Sequence, residues 1–177
     1  MSKLSDGAIT WRMRKIGQEE PRLLDVLDIP LETHGPDFGH QPENRLLAPG
    51  EWIRIGAVKA TSLVEFCEKK KVLLHTDSDR VPETLIAETP PAKRYSLQLI
   101  SVDDATFHTT TSVRRNRQIR ATFSYAAHKY SIVVTDPIAE DRVGEGEKLS
   151  KKCILTVSMG GPYDGNYFKF VAAVIEL

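Results

Sequence analysis

Cysteine is scarce in this chain: two among 177 residues, Cys67 and Cys153, far apart and with no Cys-x-x-Cys pair. No histidines stand at ligand spacing around them, so the sequence offers no structural zinc site, and free thiols of a reducing compartment are expected. Long hydrophobic runs are also missing. Nothing approaches the roughly 20 apolar residues that span a bilayer. The first seven residues are polar or small apart from Leu4, without the apolar core of a secretory signal. A cytoplasmic, soluble protein with no membrane partner is the expectation. Charge of one sign is absent as well, with 24 Lys+Arg against 24 Asp+Glu. Catalytic signatures are lacking too: there is no Gly-x-Ser-x-Gly elbow, no phosphate-cradling Gly-x-x-x-x-Gly-Lys, no His-Glu-x-x-His and no dinucleotide fingerprint. No catalytic residue, cofactor or metal is therefore nominated, and the chain reads as a binding module rather than an enzyme.

What is present is an ordinary globular composition, 41% hydrophobic and 27% charged, which argues against wholesale disorder. The balanced charge is unevenly spread. Residues 1–88 hold 12 basic against 15 acidic residues (−3), and residues 89–177 hold 12 against 9 (+3). Within 93–134, seven basic residues face two acidic ones, Asp103 and Asp104, a local +5 able to attract phosphates. The alternative is a basic edge strand that discourages sheet-to-sheet aggregation. Both readings stand at this point.

The second half carries regular β punctuation. Strands are expected over Tyr95–Val102, Thr106–Val113, Gln118–Tyr125, His128–Thr135, Ile154–Met159 and Tyr167–Ile175. Ala126-Ala127 is a tight turn, and Gly/Pro/Asp residues separate the last two strands. An acidic loop, Glu140 to Glu147, follows Asp136-Pro137. Short strands at this spacing predict a small barrel or sandwich. The first half is less regular. Arg22–Leu31 and Trp52–Val58 read as strands separated by a long Gly/Pro/His/Asn connection. Thr61–Lys70 reads as the one short α-helix, with a Ser62/Glu65 capping box and Lys69, Lys70 and Lys71 as solvated C-terminal charges. Val72–His75 gives a short strand, and the prolines and charges of Thr76–Lys93 suggest a linker.

Leu23-Leu24-Asp25-Val26, then His40-Gln41-Pro42-Glu43-Asn44, then Val134-Thr135-Asp136-Pro137 and the closing Tyr163–Ile175 segment resemble the dual OB-containing domain family, DuOB, over residues 20–177. The resemblance implies a mainly β protein of two tandem OB-like barrels. We divide them as 1–88 and 94–177, with an altered start to the first, because Gly7–Arg14 departs from the family's opening strand. It also implies a bacterial protein of nucleic-acid-linked or conflict systems.

Candidate sites follow. Arg114, Arg115, Arg117 and Arg120 lie at or beside a strand junction, with Lys129 and the aromatics Phe107, Tyr125 and Tyr130 nearby. Arg120, Thr122 and Ser124 share one strand face. In an OB-like barrel such a face stacks bases and holds phosphates; the plainer reading is polar-out, apolar-in. The family-motif residues His40, Gln41, Glu43 and Asn44 offer amides and an imidazole for reading bases, or else side chains that organise a long loop. Asp136 before Pro137 reads as a turn former rather than a metal ligand. The leading expectation is non-catalytic binding of single-stranded nucleic acid through the second barrel. The alternative is a protein-interaction or scaffold module that partners an effector enzyme. A hydrolytic or nucleotide-sensing reading requires His40, Glu43 and Asp136 to meet in one pocket.

Overall fold

A computed structural model describes residues 1–3, 7–111 and 116–177. It is mainly β, and most of the chain's regular structure lies after residue 79. The strands there are β3 (Arg80–Pro82), β4 (Leu97–Val102), β5 (Thr106–Thr111), β6 (Arg117–Tyr125), β7 (His128–Val134), β8 (Cys153–Tyr163) and β9 (Asn166–Glu176). They form one seven-stranded sheet in the order β4-β8-β9-β7-β6-β5, with β3 on β9. All pairs are antiparallel except β7 with β9, where Val133 and Val134 lie beside Phe170 and Val171. Alternation makes this arrangement legible: in β6 the residues Ile119, Ala121, Phe123 and Tyr125 point inward and Gln118, Arg120, Thr122 and Ser124 outward.

The sheet curls without closing. Its β4 edge comes back toward β6, where Gln98 Nε2 donates to the Tyr125 hydroxyl at 3.1 Å. Residues 68–71 lie in this seam. Glu68 N–H donates to Leu99 O at 2.8 Å, and Lys70 N–H to the Tyr125 hydroxyl at 2.7 Å. Inside the curl sit Ile100, Ala121, Phe123, Ile132, Val134, Leu155 and Val157, all at most 3% exposed.

Several expectations are corrected. Thr76–Lys93 is not a linker: it supplies β3, the helix α2 (Glu83–Glu88) and a 3-10 turn, Pro91–Lys93. The acidic loop begins as a helix, α3 (Pro137–Gly144), because Asp136 Oδ1 accepts from the N–H groups of Ile138 and Ala139 and Pro137 takes the first helical position. In place of an α-helix over Thr61–Lys70 there is a 3-10 helix, Ala60–Phe66. None of its residues is buried and its cap makes no side-chain bond, so nothing favours a longer, packed helix. Val72–His75 is a turn held by one isolated bridge, Leu73 with Thr76.

Residues 7–58 contribute a one-turn helix, α1 (Trp11–Arg14), and a two-stranded antiparallel sheet of β1 (Asp25–Asp28) and β2 (Ile53–Ala57). Among the described residues before Leu73, no hydrophobic side chain is buried. This part is tied by polar contacts instead: Arg54 Nε to Asp25 at 2.9 Å, Arg54 to Glu19 at 3.2 Å and Arg14 to Glu20 at 3.2 Å. No helix among the described residues is long and apolar enough to cross a membrane. Both cysteines are free thiols, and burial pushes the Cys153 thiol up to about 12.

Candidate functional site

Residues of β3, β6, β7, β8 and β9, together with Asp79, line a groove of about 800 Å³. On β9 the alternation puts Phe168 and Phe170 outward and Tyr167, Lys169 and Val171 inward. Tyr163, 62% exposed at the end of β8, faces Phe168 with ring centroids 6.2 Å apart. Arg80 of β3 lies over the Phe168 ring, 5.0 Å from its centroid. Arg120 of β6 closes the other side, donating from Nε to Ser131 Oγ at 3.1 Å and from Nη2 to Ser131 O, with Asp79 at 3.6 Å. Three aromatic rings and two guanidinium groups thus share one open face, partly balanced by a single carboxylate, Asp79. Gly160 belongs to this geometry: a methyl group there would stand 2.6 Å from Phe170 Cε2, so glycine lets that ring lie across the hairpin.

At the groove floor is Lys169, 2% exposed. Its ammonium lies 2.6 Å from Leu73 O, 2.7 Å from Ser78 O and 2.9 Å from both Thr76 O and Thr76 Oγ1, four acceptors for three N–H donors. These oxygens belong to a turn in which Leu74 and His75 have φ of 38° and 73°, a conformation that costs non-glycine residues about 1–3 kcal/mol each. Lys169 clamps that turn. Burial pushes the ammonium down to about 7, with Asp77 and Asp79 opposing.

The expected site residues are distributed as follows. Arg120 lines the groove. Arg117 is exposed, and its Nη2 donates to Gly144 O at 2.6 Å. Lys129 is exposed on β7, opposite Ser124. Phe107 packs against the core. Tyr125 and Tyr130 correct the expectation of exposed aromatics. They are 8% and 2% exposed, and their hydroxyls serve the backbone: Tyr125 donates to Glu68 O at 2.9 Å, and Tyr130 accepts from Leu73 N–H at 3.0 Å. Both sit on the inward face of their strands, so neither ring is open to stacking from outside. Arg114 and Arg115 lie outside the described residues.

The His40-Gln41-Pro42-Glu43-Asn44 block sits against the large sheet. The His40 ring stacks on Tyr167 at 4.2 Å between centroids, and Gln41 Nε2 donates to Met159 O at 3.3 Å. Glu43 Oε1 accepts from the Ser96 N–H at 2.9 Å and hydroxyl at 2.5 Å, and Asn44 Nδ2 donates to Pro36 O at 3.0 Å and Gln41 Oε1 at 2.9 Å. Asp136 is remote from this block. Its Oδ2 accepts from Val174 N–H at 2.8 Å, seven strand positions or roughly 23 Å along β9 from Tyr167. The convergence that a hydrolytic site needed is therefore not made. His108 and His128 pair across strands with Arg120 and Tyr125 respectively. Among the described residues, no group of three His, Cys, Asp or Glu side chains comes together to hold a metal ion.

Sequence reasoning missed Arg80, Tyr163, Phe168 and Phe170. The alternation Phe168-Lys169-Phe170 was visible, but a lysine between two phenylalanines predicts lysine out and phenylalanine in. The four oxygens around Lys169 reverse that assignment.

The model of the dual OB-containing domain family matches residues 1–174 of the chain. The chain belongs to that family. No curated protein and no solved structure matches it. Membership supports function at the level of its OB domains, which as a class bind nucleic acids or proteins.

Proposed function

We propose that the protein is a non-catalytic module that binds single-stranded nucleic acid in the groove of Tyr163, Phe168, Phe170, Arg80 and Arg120. The observation that carries the reading is the presence of aromatic rings and guanidinium groups together on the outer face of an open β-sheet. Stacking on such rings contributes about 1–3 kcal/mol per base and tolerates any sequence, while the guanidinium groups attract the backbone. A duplex keeps its bases stacked inside and offers no ring face to this groove. The residues differ from those expected at first: Arg120 stays, and Tyr163, Phe168 and Phe170 replace Tyr125 and Tyr130. A setting in bacterial defence or conflict systems comes from the family resemblance alone.

The test is fluorescence anisotropy with single-stranded and duplex DNA and RNA at two salt concentrations. Salt-sensitive binding of single strands is expected, weakened about tenfold or more by Phe168→Ala and by Arg120→Ala. Equal binding by wild type and both variants removes the groove from the account.

A second reading has its own observation. Ile53 and Ile55 on β2 are 55% and 66% exposed, and Leu31 is 51% exposed. Exposed aliphatic side chains on a two-stranded sheet favour a protein-interaction role for the N-terminal region. Capture of a protein partner that Ile55→Glu abolishes and Arg120→Ala leaves intact would support it.

A further inference from the structure

A second concavity, about 440 Å³, opens at the other end of β6. It is lined by Lys69, Lys70, Lys71, Ser101, Ser124 and the edge of Tyr125. The sequence placed these lysines at a helix end. The 3-10 helix stops at Phe66, however, and residues 68–71 are strapped across the seam between β4 and β6 by Glu68 N–H and Lys70 N–H. The lysines therefore overlook the sheet. Lys70 is committed, with its Nζ 3.3 Å from the Tyr95 ring centroid and 2.8 Å from Glu68. Lys69 and Lys71 are exposed and, among the described residues, have no carboxylate within ion-pair distance. Lys129, exposed, stands opposite Ser124 on β7. The opposing charge is Asp104, which accepts from Ser124 N–H at 2.9 Å and is held anionic by Ser124, with Lys129 contributing.

The two concavities lie on the same side of one strand. Arg120 and Ser124 both point outward from β6, four residues or about 13 Å apart. Between them the cross-strand pairs run Arg120–Val133, Thr122–Ser131 and Ser124–Lys129, with Thr106 beside Thr122 on β5. That middle stretch is small and hydroxyl-bearing. Among the described residues, Thr106, Thr122 and Ser131 make up this row, with the Arg120 guanidinium resting on Ser131, and Thr and Ser hydroxyls suit sugar and phosphate contacts.

The geometry points to a phosphate-binding subsite at Lys69, Lys71 and Lys129, which holds the backbone of the same single strand whose bases lie in the aromatic groove. The inference rests on the proposed function and adds a direction to it: the strand runs along the outer face of β6, from the Arg120 end to the Ser124 end. A short oligonucleotide fills the groove alone. A longer one reaches the lysines as well.

The test compares single-stranded oligothymidylates of roughly 3 and roughly 12 nucleotides, within the range of OB-fold site sizes. Binding to wild type, to Lys69→Gln with Lys71→Gln, and to Phe168→Ala is followed by anisotropy across a salt series. The double glutamine variant is expected to bind the long oligomer about tenfold more weakly at low salt. Its log–log salt slope should be shallower by about 1.4, roughly 0.7 for each phosphate that is no longer neutralised, and the short oligomer should be unaffected. Lys69→Arg with Lys71→Arg should restore the slope. The inference is overturned if the double glutamine variant binds the long oligomer with unchanged affinity and slope, or loses both lengths equally, while Phe168→Ala weakens both. If wild type binds neither length, the proposed function falls together with the subsite.

Discussion

The chain before Leu73 and the chain after it are held together by different physics. After Leu73, β-strands alternate and pack an apolar interior less than a tenth exposed. Before it, no described hydrophobic side chain is buried, and a two-stranded sheet depends on ion pairs around Arg54 and on contacts the His40–Asn44 block makes with Ser96, Met159 and Tyr167. The comparison separates stability from attachment. The C-terminal sheet makes the fold and shapes the groove, and the N-terminal region is fastened to it.

Core truncation should expose that difference most strongly. Leu155→Ala, at a fully buried position, should cost about 2–5 kcal/mol in urea unfolding. Ile55→Ala, on the exposed two-stranded sheet, should stay within about 0.5 kcal/mol. Equal losses would erase the distinction.

Lys169 sharpens it through pH. Its folded-state value near 7 lies below the 10.5 of a free lysine, so the unfolded chain binds more protons between those values. This residue should therefore make stability rise with pH across that window, at up to about 1.4 kcal/mol per pH unit. Between pH 7 and pH 9, wild type should gain stability relative to Lys169→Met, as read from paired urea titrations. The reverse slope would mean that the four oxygens around Nζ outweigh its burial and hold the ammonium charged.

Removing the clip that Glu43 makes on Ser96 should loosen one region only. Glu43→Ala leaves the Ser96 N–H without its acceptor, at a cost of about 1–3 kcal/mol. Hydrogen exchange should accelerate in residues 7–58 while β6 to β9 keep their protection. Uniform acceleration would show that the clip belongs to the core instead. The smallest effect is expected from Arg54→Ala. Its ion pairs with the largely buried Asp25 carboxylate and the exposed Glu19 join elements of the N-terminal region only, so the global unfolding midpoint should not move.

The sequence was legible where one face of a strand is buried. The six C-terminal strands lie within a few residues of their expected bounds, apart from Ser112 and Val113 at the end of the second, which fall outside the described residues, and the Ala126-Ala127 turn is present, with Ala126 at φ 53°. The closing hairpin was read less well. Its second-to-last strand runs on through Gly160-Gly161-Pro162 by way of an irregularity between Met159 and Pro162, and the turn itself is Asp164-Gly165. The α3 start was written in Asp136-Pro137, an N-cap followed by a first-turn proline, but the charged residues after it resemble loop. β3 escaped because three residues with a proline carry no period; only the long-range pairing of Val81 with Tyr167 makes them a strand. The groove was half visible. Arg120 followed from alternation, whereas Phe168 and Phe170 depend on where Lys169 finds oxygen partners, a contact with residues more than 90 positions away. Tyr125 and Tyr130 turn inward for the converse reason: the backbone groups that bury their hydroxyls come from residues 68–76.

Photocrosslinking of a single-stranded oligonucleotide to the intact protein, with the adducts mapped by mass spectrometry, tests the central claim most directly. Adducts are expected at Tyr163, Phe168 and Phe170 and none at the exposed N-terminal aromatics Trp11 and Phe38. Adducts confined to Trp11 and Phe38, with the groove residues unmodified, would contradict it.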